Sequence, residues 1–188
     1  MPKDYAAQPP NQMRYTARAV TDEAWIKRFL RRMPHGVLAT VHGGQPFATN
    51  NLYAFDDAAH AIYMHTAQVG RARANVEAES RVCFTVSQMG RLLPYPKPVD
   101  FDVEYASVVI FGQASMVEAL DEKRRILYLL LDKYAPHLKP GQDYEPIPDE
   151  DLKRTAIYRI EIDSWSAKKN EAEPDFPGAF EYQMDNEE

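Results

Sequence analysis

The spacing of hydrophobic positions changes along the chain, and each change marks an element. Over residues 21–36, TDEAWIKRFLRRMPHG, the apolar Trp25, Ile26, Phe29, Leu30 and Met33 recur every three to four residues. Lys27, Arg28, Arg31 and Arg32 fall on the other side, the pattern of an amphipathic helix. Thr21 stands where a cap belongs, Asp22 and Glu23 suit the positive N-terminal end, and Pro34 stops the helix. From Gly36 the period becomes that of strands. GVLATV and FATNNLYAF are separated by His42-Gly43-Gly44-Gln45-Pro46, which predicts a hairpin. Asp56-Asp57 turns the chain into AIYMHT, residues 71–79 favour a short helix, and RVCFTVSQ reads as a fourth strand. Pro94, Pro96 and Pro98 make residues 91–104 a loop, since proline cannot donate to a central ladder.

YASVVIFGQASMVEA is long enough for a fifth strand bent at Gly112. Asp121 then caps EKRRILYLLLDKY, whose Ile126, Leu127, Leu130, Leu131 and Tyr134 form an apolar face. TAIYRIEIDSWSA is the last strand. Six strands, mostly linked by hairpins, predict a mainly β (α+β) fold, an antiparallel barrel with peripheral helices.

Composition sharpens this picture at the two ends. A chain of 188 residues with 45% hydrophobic and 27% charged residues suits one globular domain. Residues 1–20 carry Pro9 and Pro10 without periodicity and read as a mobile arm, residues 21–170 as the folded domain, and residues 171–188 as an acidic tail. The tail holds seven acidic residues and no Lys or Arg, so the net charge of −6 is concentrated there and the body is near neutral. No continuous basic stripe points to nucleic acid. Cys83 is the single cysteine, which excludes an internal disulfide and a cysteine-based zinc cluster. No early apolar segment resembles a signal peptide and no run is long enough to span a bilayer, so a cytoplasmic location is the expectation.

The candidate chemistry lies in YMHTAQVGRARANVEAESRV, residues 63–82. A phosphate dianion calls for bidentate arginine, bare N–H groups at a helix start, and a glycine that permits close approach. Thr66, Gly70, Arg71 and Arg73 supply these where a strand hands over to a helix. The spacing alone is a weak signal, and a solvated arginine pair is its commoner outcome. His65, at the strand end, is either a structural residue or a proton donor, and the other histidines form no metal spacing with it. Thr49, Asn50 and Asn51 break the alternation of their strand. They mark either a barrel rim or a polar lining for a ring system rich in donors and acceptors. No Gly-x-Ser-x-Gly, Walker or Gly-x-Gly-x-x-Gly pattern occurs, so hydrolase and nucleotide-loop readings have no support.

Taken in order, GVLATV…QPFATNNLYAF, IYMHTAQVGRARANVEAESRVCFTV, YASVVIFGQASMVE and YRIEIDSWSAKK resemble the FMN-binding split-barrel family of pyridoxamine 5′-phosphate oxidase. The resemblance covers roughly residues 21–170 and is nearest to the nitroimidazole-resistance (Nim-type) branch. It implies a six-stranded antiparallel split β-barrel that forms a homodimer with FMN in clefts between subunits. On that resemblance Thr49, Asn50 and Asn51 line the flavin ring, His65 and Thr66 lie beside the ribityl chain and phosphate, and Gly70 and Arg71 form the phosphate turn. Ser107 contributes from the partner, and Trp165 and Lys168 match C-terminal positions near the cofactor. Two departures stand out: Ala72 replaces the second of two adjacent bases, shifting Arg73 by about 100° on the helix, and Asn50 replaces a common proline. The Arg-x-His pattern of true pyridoxamine phosphate oxidases is missing near the end, which argues against vitamin B6 oxidation.

The function this implies is an FMN-dependent oxidoreductase that reduces a small acceptor such as a nitro compound, without nucleic acid or membrane partners. The alternatives are a non-catalytic flavin-binding or regulatory protein, a split barrel that uses haem or F420, and a ligand-free structural dimer.

Overall fold

A computed structural model describes residue 4 and residues 6–183. The elements are β1 (Gly36–His42), β2 (Gln45–Asn51), β3 (Ala54–Asp56), β4 (Ala61–Thr66), β5 (Arg81–Leu93), β6 (Asp102–Met116) and β7 (Ala156–Asn170). The helices are α1 (Glu23–Arg32), α2 (Arg71–Ala78), α3 (Leu120–Tyr134) and the short α4 (Asp149–Arg154), which sequence periodicity did not indicate. Among the described residues no helix is long and apolar enough to cross a membrane.

All pairings are antiparallel, in the order β2-β1-β5-β6-β7-β4-β3. The first and last strands of that order are joined by only Leu52 and Tyr53. A link of that length spans at most about 11 Å, so the sheet has to curl until its two edges nearly meet. Among the described residues no ladder joins β2 to β3, so the barrel stays split along that seam.

The seam explains why the segment read as one strand is two. At Tyr53 the backbone N–H donates to the hydroxyl of Tyr134 at 2.9 Å, and that hydroxyl donates toward the carbonyls of Tyr53 (2.9 Å) and Pro34 (2.7 Å). A side chain from α3 thus takes the place of a neighbouring strand. The Tyr53 ring turns inward, fully buried, and its hydroxyl donates to the Leu30 carbonyl at 2.5 Å.

Two apolar clusters hold the fold. The barrel interior takes Leu38, Ile62, Met64, Phe84, Val108, Ile110 and Ile160, closed by Ile26, Phe29 and Leu30 of α1. On the other side of β4 and β7, Ala61, Tyr63 and Ile157 pack under Ile126 of α3. AIYMHT is therefore buried on both faces up to Met64, and only His65 is exposed. At Gly112 the β6–β7 register shifts, and a Cβ there would lie 2.0 Å from the Glu161 carbonyl oxygen, so the bend requires glycine.

Helix starts differ from expectation by a residue or two. Asp22, not Thr21, caps α1, and α3 begins at Leu120 after Ala119 rather than at an Asp121 cap. β5 and β6 also run on to Leu93 and back from Asp102, past the predicted loop boundaries. Glu104 makes this possible, accepting from the Arg91 guanidinium at 2.7 and 2.9 Å across the register shift there. The same arginine donates to the carbonyls of Glu173 and Pro174, and Leu92 and Phe180 form a bridge. Residues 171–180 of the acidic tail are thereby docked on β5. The N-terminal arm lies on the sheet through the Ala19–Lys168 bridge and an Arg18–Asp102 ion pair of 2.5 Å. Residues 1–3, 5 and 184–188 of the predicted arm and tail lie outside the described residues.

Candidate functional site

The start of α2 leaves backbone donors and positive charge unmatched. Gly70 is the N-cap, at φ 147° and ψ 173°, a backbone region essentially restricted to glycine. A Cβ at this position would meet nothing within 4 Å, so the turn faces open space. No side chain caps the helix, and its first backbone bond runs from the Ala74 N–H to the Gly70 carbonyl at 3.1 Å. The N–H groups of Arg71, Ala72 and Arg73 are left without a protein partner among the described residues. The first turn carries no acidic residue, whereas α1, α3 and α4 each carry at least one. Two arginines sit instead at the positive end of the helix, an arrangement that costs energy until an anion neutralises it.

The two arginines are not equivalent. Arg71 is exposed and makes no hydrogen bond or ion pair among the described residues. Arg73 donates from Nε to Glu77 Oε1 at 2.7 Å, one turn along the same helix, and this bond raises its pKa above the ordinary guanidinium value. Arg73 is already paired by its own helix, and Arg71 is not.

Two residues outside the sequence reading place the helix. Asn75 of α2 is buried, and its Nδ2 donates to Thr40 Oγ1 at 2.9 Å. The Thr40 hydroxyl in turn donates to the Phe47 carbonyl at 3.4 Å, so α2 is tied to β1 and β2 together. Asn75 Oδ1 is buried without a partner. The one sequence signal for this anchor was an asparagine inside a helical stretch, a poor helix former kept for its side chain.

Strand register sorts the remaining candidates. Thr49 and Asn51 pair with Leu38 and Gly36 and share one face of β2, while Asn50, paired with Val37, points to the other. Asn51 donates from Nδ2 to the Thr49 carbonyl at 3.0 Å. On β4, Thr66 shares the face of Met64 and Ile62, and His65 the opposite face with Tyr63. Ser107 and Lys168 are direct cross-strand partners on the outer face of β6 and β7. Ser107 Oγ is buried with no hydrogen-bond partner, and Lys168 Nζ lies 5.4 Å from the Tyr105 ring centre. Trp165 pairs with Ile110, packs against the barrel core, and meets the His60 ring edge-on at 4.9 Å.

The candidates therefore form two groups in one chain. Thr66, Gly70 and Arg71 gather where β4 hands over to α2, and the Asn75 anchor ties that helix to the strand that carries Thr49 and Asn51. Asn50, Ser107 and Lys168 belong to the outer sheet face. Trp165 joins neither.

Comparison with known proteins identifies the fold and the family. The family described as pyridoxamine 5′-phosphate oxidase matches residues 22–169. No curated protein matches the chain. Among solved structures, the flavocytochrome Anf3 from Azotobacter vinelandii superposes with a TM-score of 0.73 at 23% identity, covering 92% of this chain and 84% of that one. The FAD and heme binding protein from Mycobacterium smegmatis gives 0.73 at 20% identity, covering 84% and 76%. A candidate 5-nitroimidazole antibiotic resistance protein from Bacteroides thetaiotaomicron gives 0.66 at 17% identity, covering 81% and 90%. At these identities the structures speak for the fold, an antiparallel split barrel. With its match running from the start of α1 to the end of β7, the chain belongs to the pyridoxamine 5′-phosphate oxidase family.

Proposed function

We propose that this protein is a homodimeric FMN-binding oxidoreductase that reduces a small acceptor such as a nitro compound. The observation that carries the reading is the start of α2: bare N–H groups, an open glycine turn and an arginine with no partner. These groups fit a phosphomonoester. Arg71 offers two parallel donors to phosphate oxygens, and the first-turn N–H groups add the helix dipole. Thr66 supplies a hydroxyl at the end of β4. The fit is narrower than the full candidate set, because Arg73 is paired to Glu77 and Trp165 is packed on the core.

When bound, the flavin would supply reversible uptake of hydride or single electrons. The chain supplies position and polarity around it. Thr49 and Asn51 present polar groups from β2, and the exposed His65 is the candidate proton donor. Ser107 and Lys168, on the outer sheet face, reach such a site from a second copy of the chain.

A second reading is a haem-binding barrel, favoured by the names of the Azotobacter and Mycobacterium neighbours. The visible spectrum of freshly purified protein and the mass of the ligand it releases decide between them. A yellow protein that releases FMN, and loses it in Arg71→Ala, supports the proposal. A Soret band moves the chemistry to haem, and a colourless protein that ignores added FMN overturns the flavin reading.

A further inference from the structure

The N-terminal arm does more than cover an edge. Its short turn Thr16–Arg18 is held against the sheet by the Ala19–Lys168 bridge, the 2.8 Å bond from the Val20 N–H to the Ala167 carbonyl, and the Arg18–Asp102 pair. Between the arm and the outer face of β6 and β7 remains a cavity of about 380 Å³. Its charged lining residues are Arg14, Arg18 and Lys168, and it contains no acidic residue. Asp102, outside the lining, neutralises Arg18, so among the described residues two cations of the lining have no acidic partner, in a chain whose net charge is −6. Arg14 makes no ion pair or hydrogen bond among the described residues.

Two tyrosines stand in the walls of the cavity. Tyr105 carries the Arg18 guanidinium 5.7 Å from its ring centre and the Lys168 ammonium at 5.4 Å, and Tyr15 holds the same arginine at 5.5 Å. Ser107, whose buried hydroxyl lacks a partner, also lines the space. Two tyrosine rings with cations beside them match one ligand shape, a ring that ends in an anion.

We propose that this cavity admits the protein's small-molecule partner, and that this partner is a planar aromatic carboxylate. Tyr15 and Tyr105 take the ring, while Arg14 and Lys168 take the carboxylate. Arg14 and Tyr15 are then specificity-determining residues supplied by the arm. That this ligand is also the redox acceptor rests on the flavin reading above; its binding does not.

Titration calorimetry of the full-length protein tests this with 4-nitrobenzoate, the uncharged 4-nitrobenzamide and inorganic phosphate as probes. The carboxylate is expected to bind at least about 10-fold more tightly than the amide, since a charged hydrogen bond is lost. Phosphate, which has no ring, is expected not to compete. Arg14→Gln should weaken nitrobenzoate about 10-fold, Arg14→Lys should recover most of that loss, and the flavin content of both variants should match wild type. Equal affinity for carboxylate and amide, competition by phosphate, or an Arg14→Gln variant that binds nitrobenzoate as wild type does, overturns the proposal. Flavin-loaded protein that ignores nitrobenzoate defeats the cavity assignment alone. Flavin-free protein that still binds it, even with FMN added, keeps the cavity and defeats only the flavin reading.

Discussion

The helices α1 and α2 begin in opposite ways. At α1 the Asp22 carboxylate accepts from the N–H groups of Ala24 and Trp25 at 2.9 and 3.2 Å, and Glu23 follows in the first turn. Its donors are satisfied and the charge at its positive end is of the right sign. α2 begins at Gly70 with no cap, no acid and two arginines. The better capped helix is the one whose apolar stripe closes the barrel, with Ile26, Phe29 and Leu30 buried. The poorly started one is held from elsewhere, by Asn75 on Thr40. A helix start with unmatched donors and charge, yet anchored from elsewhere along the helix, is what the proposed anion site requires and what its own stability does not.

The largest expected effect breaks the ligand side of the comparison. Arg71→Ala should weaken FMN binding by about 10- to 100-fold, the worth of a charge-assisted bond to phosphate. The melting temperature of the flavin-free protein should stay at or slightly above the wild-type value, because Arg71 makes no bond among the described residues and its charge opposes the helix dipole. Fluorescence titration with FMN and a thermal melt read the two halves separately. Undiminished affinity would mean that the bare helix start is only a solvated turn.

Gly70→Val tests the turn itself. At φ 147° a β-branched side chain has free space but the wrong backbone, and the strain costs about 1–3 kcal/mol. Denaturant unfolding should show the loss, and FMN affinity should fall with it as the N–H groups are re-aimed. A variant with wild-type stability would show that the glycine conformation is not needed. Asp22→Ala is the counterpart at α1. It should destabilise the protein by about 1 kcal/mol in urea and leave FMN affinity unchanged. A change in ligand binding there would erase the distinction between the two starts.

Much of this contrast was legible in the sequence, because it is local. The stripe of α1, the glycine before Arg71 and the absence of an acid in that turn are all neighbours along the chain. The strand order of motifs also carried the family. What escaped reading depends on partners far apart in sequence. The break between β2 and β3 comes from Tyr134, 81 residues beyond Tyr53. The anchor of α2 is an asparagine that meets a threonine 35 residues earlier. The extension of β5 and β6 past their apolar runs needs the Arg91–Glu104 pair, and Glu104 is thereby held down to a pKa of about 2. No periodicity records such pairings. Alternation sets Asn50 opposite Thr49 and Asn51, but that its face is the outer one followed only from the register with Val37.

The smallest effect sharpens the comparison most finely, because it divides α2 against itself. Arg73 stands two residues after Arg71 and carries the same charge, so a purely electrostatic view of the helix start would give both the same weight. The geometry gives them different partners: Arg73 is bound to Glu77 at 2.7 Å, and its side chain is 30% exposed. Arg73→Ala removes an i,i+4 pair and should cost about 0.2–0.5 kcal/mol of stability. FMN affinity should change by less than about twofold, since Arg73 is turned to Glu77 and the carboxylate its loss uncovers is half exposed and screened by solvent. Arg73→Ala combined with Glu77→Gln removes the pair as a neutral unit and should return affinity to the wild-type value, a difference from Arg73→Ala alone that is read best at low ionic strength, where long-range charge effects are greatest. An Arg73→Ala loss as large as that of Arg71→Ala would show that the Glu77 pair opens for the phosphate, and that the anion site takes both arginines of the turn.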